Sequence, residues 1–352
     1  MGLRIIYGKS GTGKSTYIYN EIKEKLNSNS KIFVVVPEQF SFTAEQKLMD
    51  ISNGSVINAE VLTLSRMAYR VLNEVGGSNI THLSKVGKAM IIYDILSKNK
   101  NDLKFLGKSD KNIELVQRMY SELKKHGIST EMLENVNTDN KYLLAKLKDI
   151  NLIYSKFQEK ISNNYIDEND TLSLLAEKLE YTTSFDNSYI YIDEFAGFTF
   201  QEYRIIEQLL KKVKQISVTV CTDSLEESTN KESDIFYFNK ITVKKILAVA
   251  KNAKVDIEKP VNLDNNYRLK NAELRFLEEN IYKVSKLKYD ENVKNIKLFL
   301  ASNPYSEIEF VAKQIVKLVR DDNYRYKDIS IISNNLEDYS ADAKAIFEKY
   351  DI

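Results

Sequence analysis

Near the start of the sequence Gly8, Lys9, Ser10, Gly11, Thr12, Gly13, Lys14, Ser15 and Thr16 stand in the order G-x-x-x-x-G-K-S-T. That is the spacing of a phosphate-binding loop. The glycines let main-chain N–H groups converge on one point, and a helix that follows adds the positive end of its dipole, so the loop cradles phosphate oxygens. Lys14 is placed to reach the terminal phosphates, and the Ser15 hydroxyl to hold magnesium. The chemistry needs a strand before the loop and a helix after it. Leu3, Ile5, Ile6 and Tyr7 supply the apolar run, and a helical pattern begins at Lys14. ATP with Mg2+ is the expected ligand.

A second cluster stands in "SYIYIDEF", where an apolar run ends in Asp193 and Glu194. It reads either as an ordinary polar strand end or as an acidic pair at the C-terminal edge of a parallel sheet, where ligands gather. On the second reading Asp193 holds the magnesium through water, and Glu194 orients and deprotonates an attacking water. The phosphate loop favours it. "VTVCTDS" ends another run with Thr222 and Asp223, a sensor of phosphate state or a plain strand end. In "PEQFSFTAEQ" the loop residues Gln39, Phe40, Ser41 and Phe42 place aromatics that either stack on unpaired bases or fill the core. In "LTLSRMAYR" the Thr63 and Ser65 hydroxyls suit a DNA backbone phosphate, and Ser65 also suits a helix N-cap. His82 and His126 have no acid, Cys or second His at ligand spacing, so neither is read as a metal ligand.

The elements that must position these groups come from a chain of 352 residues, 43% hydrophobic, enough for two or three domains with real cores. Lys and Arg number 51 against 50 Asp and Glu, a net charge of +1, so contact with nucleic acid must come from local patches. The single cysteine, Cys221, excludes an internal disulfide and any Cys-based zinc or iron–sulfur site in this chain. No run of eighteen apolar residues and no leader pattern is seen. A cytoplasmic chain without a membrane part is expected.

Short β-branched runs, "RIIYG", "KIFVVVP", "AEVLTL", "SYIYIDEF" and "ISVTVCTD", read as buried parallel strands alternating with helices. The fold class is therefore α/β with a parallel sheet. From 83 to 180 the pattern is helical almost throughout, an all-helical insertion between 1–82 and 181–290. Its charge is uneven: Lys85–Lys125 holds ten basic and five acidic residues, His126–Glu180 six and ten. The first half is the better candidate for a phosphate-facing surface, the competing reading of any one lysine being a solvated helix face. Over 291–352 two further strands, "IKLFLA" and "DISIIS", alternate with amphipathic helices, the first with Ile308, Val311, Ala312, Ile315 and Val319 on one face. These are too few to close a second sheet, so the chain is expected to stop inside a domain.

Taken in order, "GKSGTGKS", "VVPEQFSFTAEQ", "VLTLSRMAYRVL", "YIYIDEFAGFTFQE" and "NIKLFLASNPYSEIEFVAKQIVKLV…YRYKDISII" resemble the N-terminal half of the B subunit of AddAB-type helicase–nucleases. The resemblance implies a superfamily 1 fold, a RecA-like domain interrupted by a helical insertion and followed by a second RecA-like domain. It implies an A subunit as partner in a heterodimer that processes double-strand DNA ends, responds to Chi and feeds recombination repair, with single-stranded DNA preferred here. It also implies an iron–sulfur cluster and nuclease in a C-terminal region absent from this chain. "NNYRLKNAEL" resembles a motif whose arginine, here Arg268, touches the terminal phosphate; the competing reading is a surface arginine opening a helix. Two motor features depart from the pattern. No glutamine segment precedes Gly8 to read adenine, and "CTDSLEE" lacks the glutamine of the Gly-Asp-x-x-Gln signature. A weak or inactive motor is expected; the alternatives are an autonomous ATP-driven helicase and a small-molecule P-loop kinase.

Overall fold

The computed structural model describes residues 2–52, 58–77, 81–106, 112–161, 165–166, 170–227, 233–283 and 287–352. The chain forms two compact units, one running up to Arg268 and one spanning Leu269–Ile352.

The first unit is built on strands β1 (Gly2–Gly8), β2 (Ile32–Val35), β3 (Ala59–Leu62), β4 (Thr81–His82), β5 (Tyr165–Ile166), β6 (Tyr189–Ile192), β7 (Gln215–Cys221), β8 (Asp256–Ile257) and β9 (Val261–Asn262). Among the described residues seven of these form one sheet in the order β3-β2-β6-β7-β1-β8, with β9 also paired to β1. Every pairing is parallel. Side chains alternate between faces, so a strand buried on both sides reads as a continuous apolar run. Leu3, Ile5, Phe33 and Val35 face one core, whereas Ile6, Ile32 and Val34 face the other. Helices α1 (Lys14–Lys25) and α2 (Ser41–Ile51) cover the second face through Ile18, Ile22 and Leu48. The first face is covered by α3 (Leu64–Val75) and by later helices described below. This is the RecA-like α/β arrangement, and it brings the loops after β1, β2, β3, β6 and β7 to one edge.

Between α3 and β6 the chain leaves the sheet. Helices α4 (Lys85–Lys98), α5 (Asn112–Lys125), α6 (Thr130–Glu134) and α7 (Lys141–Ile161) share their own core around Ile92, Ile95, Tyr120, Ile153 and Phe157. Buried Asp149 on α7 accepts from the main-chain N–H groups of Lys104, Phe105 and Leu106, at 3.1, 2.7 and 3.1 Å, which pins the segment after α4. The incoming and outgoing chains pair as β4 and β5, Thr81 with Tyr165 and His82 with Ile166. Helix α8 (Thr171–Lys178), which carries the same helical pattern, buries Leu175 and Ala176 in the sheet core. Beside it pack α9 (Phe200–Leu210) and α10 (Tyr237–Asn252). A capping box between Thr199 and Glu202 starts α9.

The second unit contains α11 (Ala272–Asn280), α12 (Pro304–Asp321) and α13 (Ser340–Lys349). Asn303 caps α12 by accepting from the Ser306 N–H at 2.8 Å, and Ile308 and Ala312 bury against Ile346 of α13. The expected strands "IKLFLA" and "DISIIS" are not strands here: among the described residues of this unit no ladder forms. Leu298, Leu300 and Ile332 are 100%, 95% and 92% exposed. Two extended segments without neighbouring strands lack the buried face that makes a sheet stable.

Candidate functional site

The phosphate loop lies between β1 and α1. Gly13, the residue before α1, sits at φ 82°, a left-handed conformation natural to glycine. No side chain caps α1 and its first turn has no acidic residue, so its leading N–H groups are free for an anion. Lys14 Nζ donates to the carbonyls of Gly8 and Lys9, both at 2.8 Å, curling the loop around the amine. Burial holds the Lys14 pKa below the ordinary lysine value, against the pull of Cys221, Asp193 and Glu194. A bound phosphate would supply the charge that this desolvated amine lacks. Thr12 is buried and its hydroxyl donates to the Lys9 carbonyl at 2.9 Å, bracing the turn from within. Lys9 and Gly11 are half-buried in the turn, and Ser10 and Thr16 are exposed beside it.

Two more segments converge on this loop. Asp193, at the end of β6, is 3% exposed and accepts from the Thr219 hydroxyl. Glu194 follows at φ 64°, strained for a residue with a side chain, and accepts from the Ser15 hydroxyl at 3.1 Å. Ser15 is thereby brought to Glu194, the neighbour of Asp193. The other segment is Asn266–Arg268. Asn266 Nδ2 donates to the Ser10 carbonyl at 3.0 Å, Tyr267 N–H to the Gly11 carbonyl at 2.9 Å, and Arg268 Nη1 to the Ser10 hydroxyl at 3.2 Å. A Cβ on Gly11 would stand 2.7 Å from Asn266 Oδ1 and 2.8 Å from the Arg268 Cβ, so glycine there is what permits the close approach. The loop, the two carboxylates and Arg268 fit a magnesium nucleotide: orphaned helix N–H groups and two cations for phosphates, a hydroxyl and carboxylates for the metal.

Along the same edge, a cleft of about 1250 Å³ opens between the sheet and the helical insertion. Glu38, Ser65, Tyr69 and Phe195 line it from the sheet side, and Lys85, Lys88, Arg118 and Lys125 from α4 and α5. On one flank the Phe200 ring packs onto Gly127, the left-handed residue at φ 68° just past α5.

The sequence profile of the family described as "ADDB, N-terminal" matches residues 5–278. The chain belongs to the AddB N-terminal family. Its relatives include the B subunits of ATP-dependent helicase/deoxyribonucleases, to which it is 41% identical in Clostridium tetani, 40% in Clostridium kluyveri and 38% in Thermoanaerobacter pseudethanolicus. Each match covers 100% of this chain and 32% of the relative, so the chain spans about a third of their length.

On this AddB-type framework the remaining expected residues separate. Ser65 is exposed and lines the cleft, whereas Thr63 is 1% exposed and its hydroxyl accepts from the Arg66 N–H, so Thr63 rather than Ser65 caps α3. Gln39 and Phe40 lie on a short turn before α2 and Phe42 on α2 itself; the two rings are 36% and 68% exposed, so neither fills the core. Thr222 is buried with its hydroxyl donated to the Ser224 carbonyl, and Asp223 is held by Lys240 Nζ at 3.0 Å. His126 is exposed beside Glu122, and the His82 side chain lies outside the described residues. The sequence reading marked the basic stretch 85–125 but singled out no residue of the cleft wall, and it missed the Tyr267 ring, 68% exposed, whose edge would lie 3.5 Å from a Cβ on Gly13. No described helix is long and apolar enough to cross a membrane.

Proposed function

We infer that this chain is the ATP- and DNA-binding N-terminal part of the B subunit of a heterodimeric helicase–nuclease that processes double-strand DNA ends for recombination repair and responds to Chi. The observation that carries the nucleotide reading is the folding of Asn266–Arg268 onto the phosphate loop, about 250 residues away in sequence. On this reading Lys14, the loop N–H groups and Arg268 hold the phosphates, while Ser15 and Asp193 hold Mg2+. The metal supplies charge neutralisation between the phosphates when bound. Glu194, which accepts from Ser15, would release it to turn toward a water. Single-stranded DNA would run along the strand-end edge past Gln39, Phe40, Phe42 and Ser65, with Thr63 setting the start of α3.

The motor is proposed to be weak. Thr222 and Asp223 are already engaged by Ser224 and Lys240, and "CTDSLEE" offers no glutamine to report on the terminal phosphate. A ligand without differential affinity for two states shifts no equilibrium between them. The Ser15–Glu194 contact favours the second reading, an active ATP-driven helicase, because it keeps a catalytic carboxylate at the site. Unwinding by the reconstituted heterodimer separates the two. With a weak motor, Lys14→Ala and Glu194→Gln in this subunit leave the rate nearly intact; loss of unwinding by Lys14→Ala alone refutes that reading.

A further inference from the structure

The lining of the cleft divides by the element it comes from. From the sheet side come two carboxylates, Glu38 and Glu202, and no basic residue. From α4 and α5 come Lys85, Lys88, Arg118 and Lys125 against two carboxylates, Glu114 and Glu122. Those two lie on α5 and pair within it, Arg118 with Glu114 at 2.8 Å and Lys125 with Glu122 at 3.2 Å. Both pairs are solvent-exposed and hold their cations weakly, so a phosphate can take Arg118 and Lys125 over from their carboxylates.

The arrangement is built rather than scattered. Lys85 and Lys88 are three residues apart on α4, and Arg118 and Lys125 seven apart on α5, so each pair shares one helical face. Gln117 Nε2 donates to the Lys85 carbonyl at 3.0 Å, which joins the two faces into one surface. Lys88, only 6% exposed, stands 4.5 Å from the centre of the Tyr120 ring with the Ser121 hydroxyl 3.3 Å from its Nζ. A polyanion entering the cleft meets a basic wall on one side and an acidic floor on the other.

We propose that the helical insertion supplies the phosphate wall of the cleft, through Lys85, Arg118 and Lys125 with Lys88 bracing the two helices behind them, so that a single strand lies with its backbone toward the insertion and its bases toward the sheet edge. This rests on the DNA-binding reading above and adds the orientation of the strand. The wall fixes the strand's position without reading sequence, because phosphates are the same at every nucleotide. Base discrimination is left to the floor, where Tyr69 offers an exposed ring.

The test is fluorescence anisotropy of a labelled oligothymidylate of about 16 nucleotides, titrated with the chain at several salt concentrations. Each lost phosphate contact flattens the log–log salt dependence by roughly 0.7. The triple variant Lys85→Gln, Arg118→Gln, Lys125→Gln is expected to lower the slope by about 2, whereas Lys141→Gln, Lys148→Gln, Lys156→Gln on α7, outside the cleft, leaves it unchanged. Glu38→Gln should also leave the slope unchanged. Wild-type slope in the wall variant overturns the proposal, as does a steeper slope in Glu38→Gln, which would put phosphates on the floor. Absence of any binding by the unmodified chain at low salt is a different failure, since it removes the DNA reading itself.

Discussion

Replacing Lys14 by alanine takes away the one amine that the phosphate loop wraps. Its Nζ holds the carbonyls of Gly8 and Lys9, both at 2.8 Å, and burial already depresses its pKa. Nucleotide binding exchanges those neutral acceptors for phosphate oxygens, and a charge-assisted hydrogen bond contributes about 1.5–3 kcal/mol. At 1.4 kcal/mol per decade the loss is roughly ten- to hundred-fold in ATP affinity. AMP, which has no phosphate beyond the first, should lose much less, so the ratio of ATP to AMP affinity should fall. Titration of the chain with a fluorescent ATP analogue, with ATP, ADP and AMP as competitors, reads both effects. An ATP affinity within two-fold of the original, or an equal loss for AMP, would refute the reasoning that Lys14 serves the terminal phosphates.

Gly127→Ala is expected to destabilise the first unit by about 2 kcal/mol or more, from left-handed strain and from a Cβ that would clash with the Phe200 ring. Thermal melts should show Phe200→Ala restoring only the steric share, so the two changes are not additive. Asp149→Ala leaves three main-chain N–H groups without their acceptor and should cost about 3 kcal/mol, read by denaturant unfolding; Asp149→Asn should cost less. Glu74 accepts from the Ser184 and Thr182 hydroxyls and the Thr183 N–H, bonds that lower its pKa to about 2. A depressed carboxyl pKa stabilises the fold above the unfolded value of 4.5 and loses that contribution as pH falls toward 2. Glu74→Gln should therefore flatten the decline in melting temperature between those two pH values.

What the sequence made legible follows from distance along the chain. The strands ending at Gly8, Ile192 and Cys221 were readable because each is a local run whose side chains bury on both faces of the sheet. The long helix α12 was readable from one apolar face. "IKLFLA" and "DISIIS" had the same composition as the true strands, but composition does not supply the neighbours that strands need, and Leu298 and Ile332 stand exposed. At the site, Arg268 had two competing readings because its contact with Ser10 spans most of the first unit. Of the cleft only the basic side was legible, in the excess of lysine over 85–125; that it faces a floor could not be read, because wall and floor come from elements separated in sequence. The cap of α3 falls on Thr63, two residues before Ser65, within the ordinary spread of a helix boundary.

The pairing of Thr81 with Tyr165 and His82 with Ile166 bears on how the molecule is put together. Two rungs of ladder fasten the incoming and outgoing chains side by side, so the helices between them hang from the sheet domain as a side branch with its own base. The entropy of closing so long a loop is met at that base, and lengthening or shortening the branch changes it only with the logarithm of its length. The sheet domain therefore meets the branch at a short join, with the packing of Phe200 on Gly127 as a further point of contact. A branch mounted in this way can be rebuilt, enlarged or given a different charge over evolutionary time while the phosphate loop and its strands keep their register.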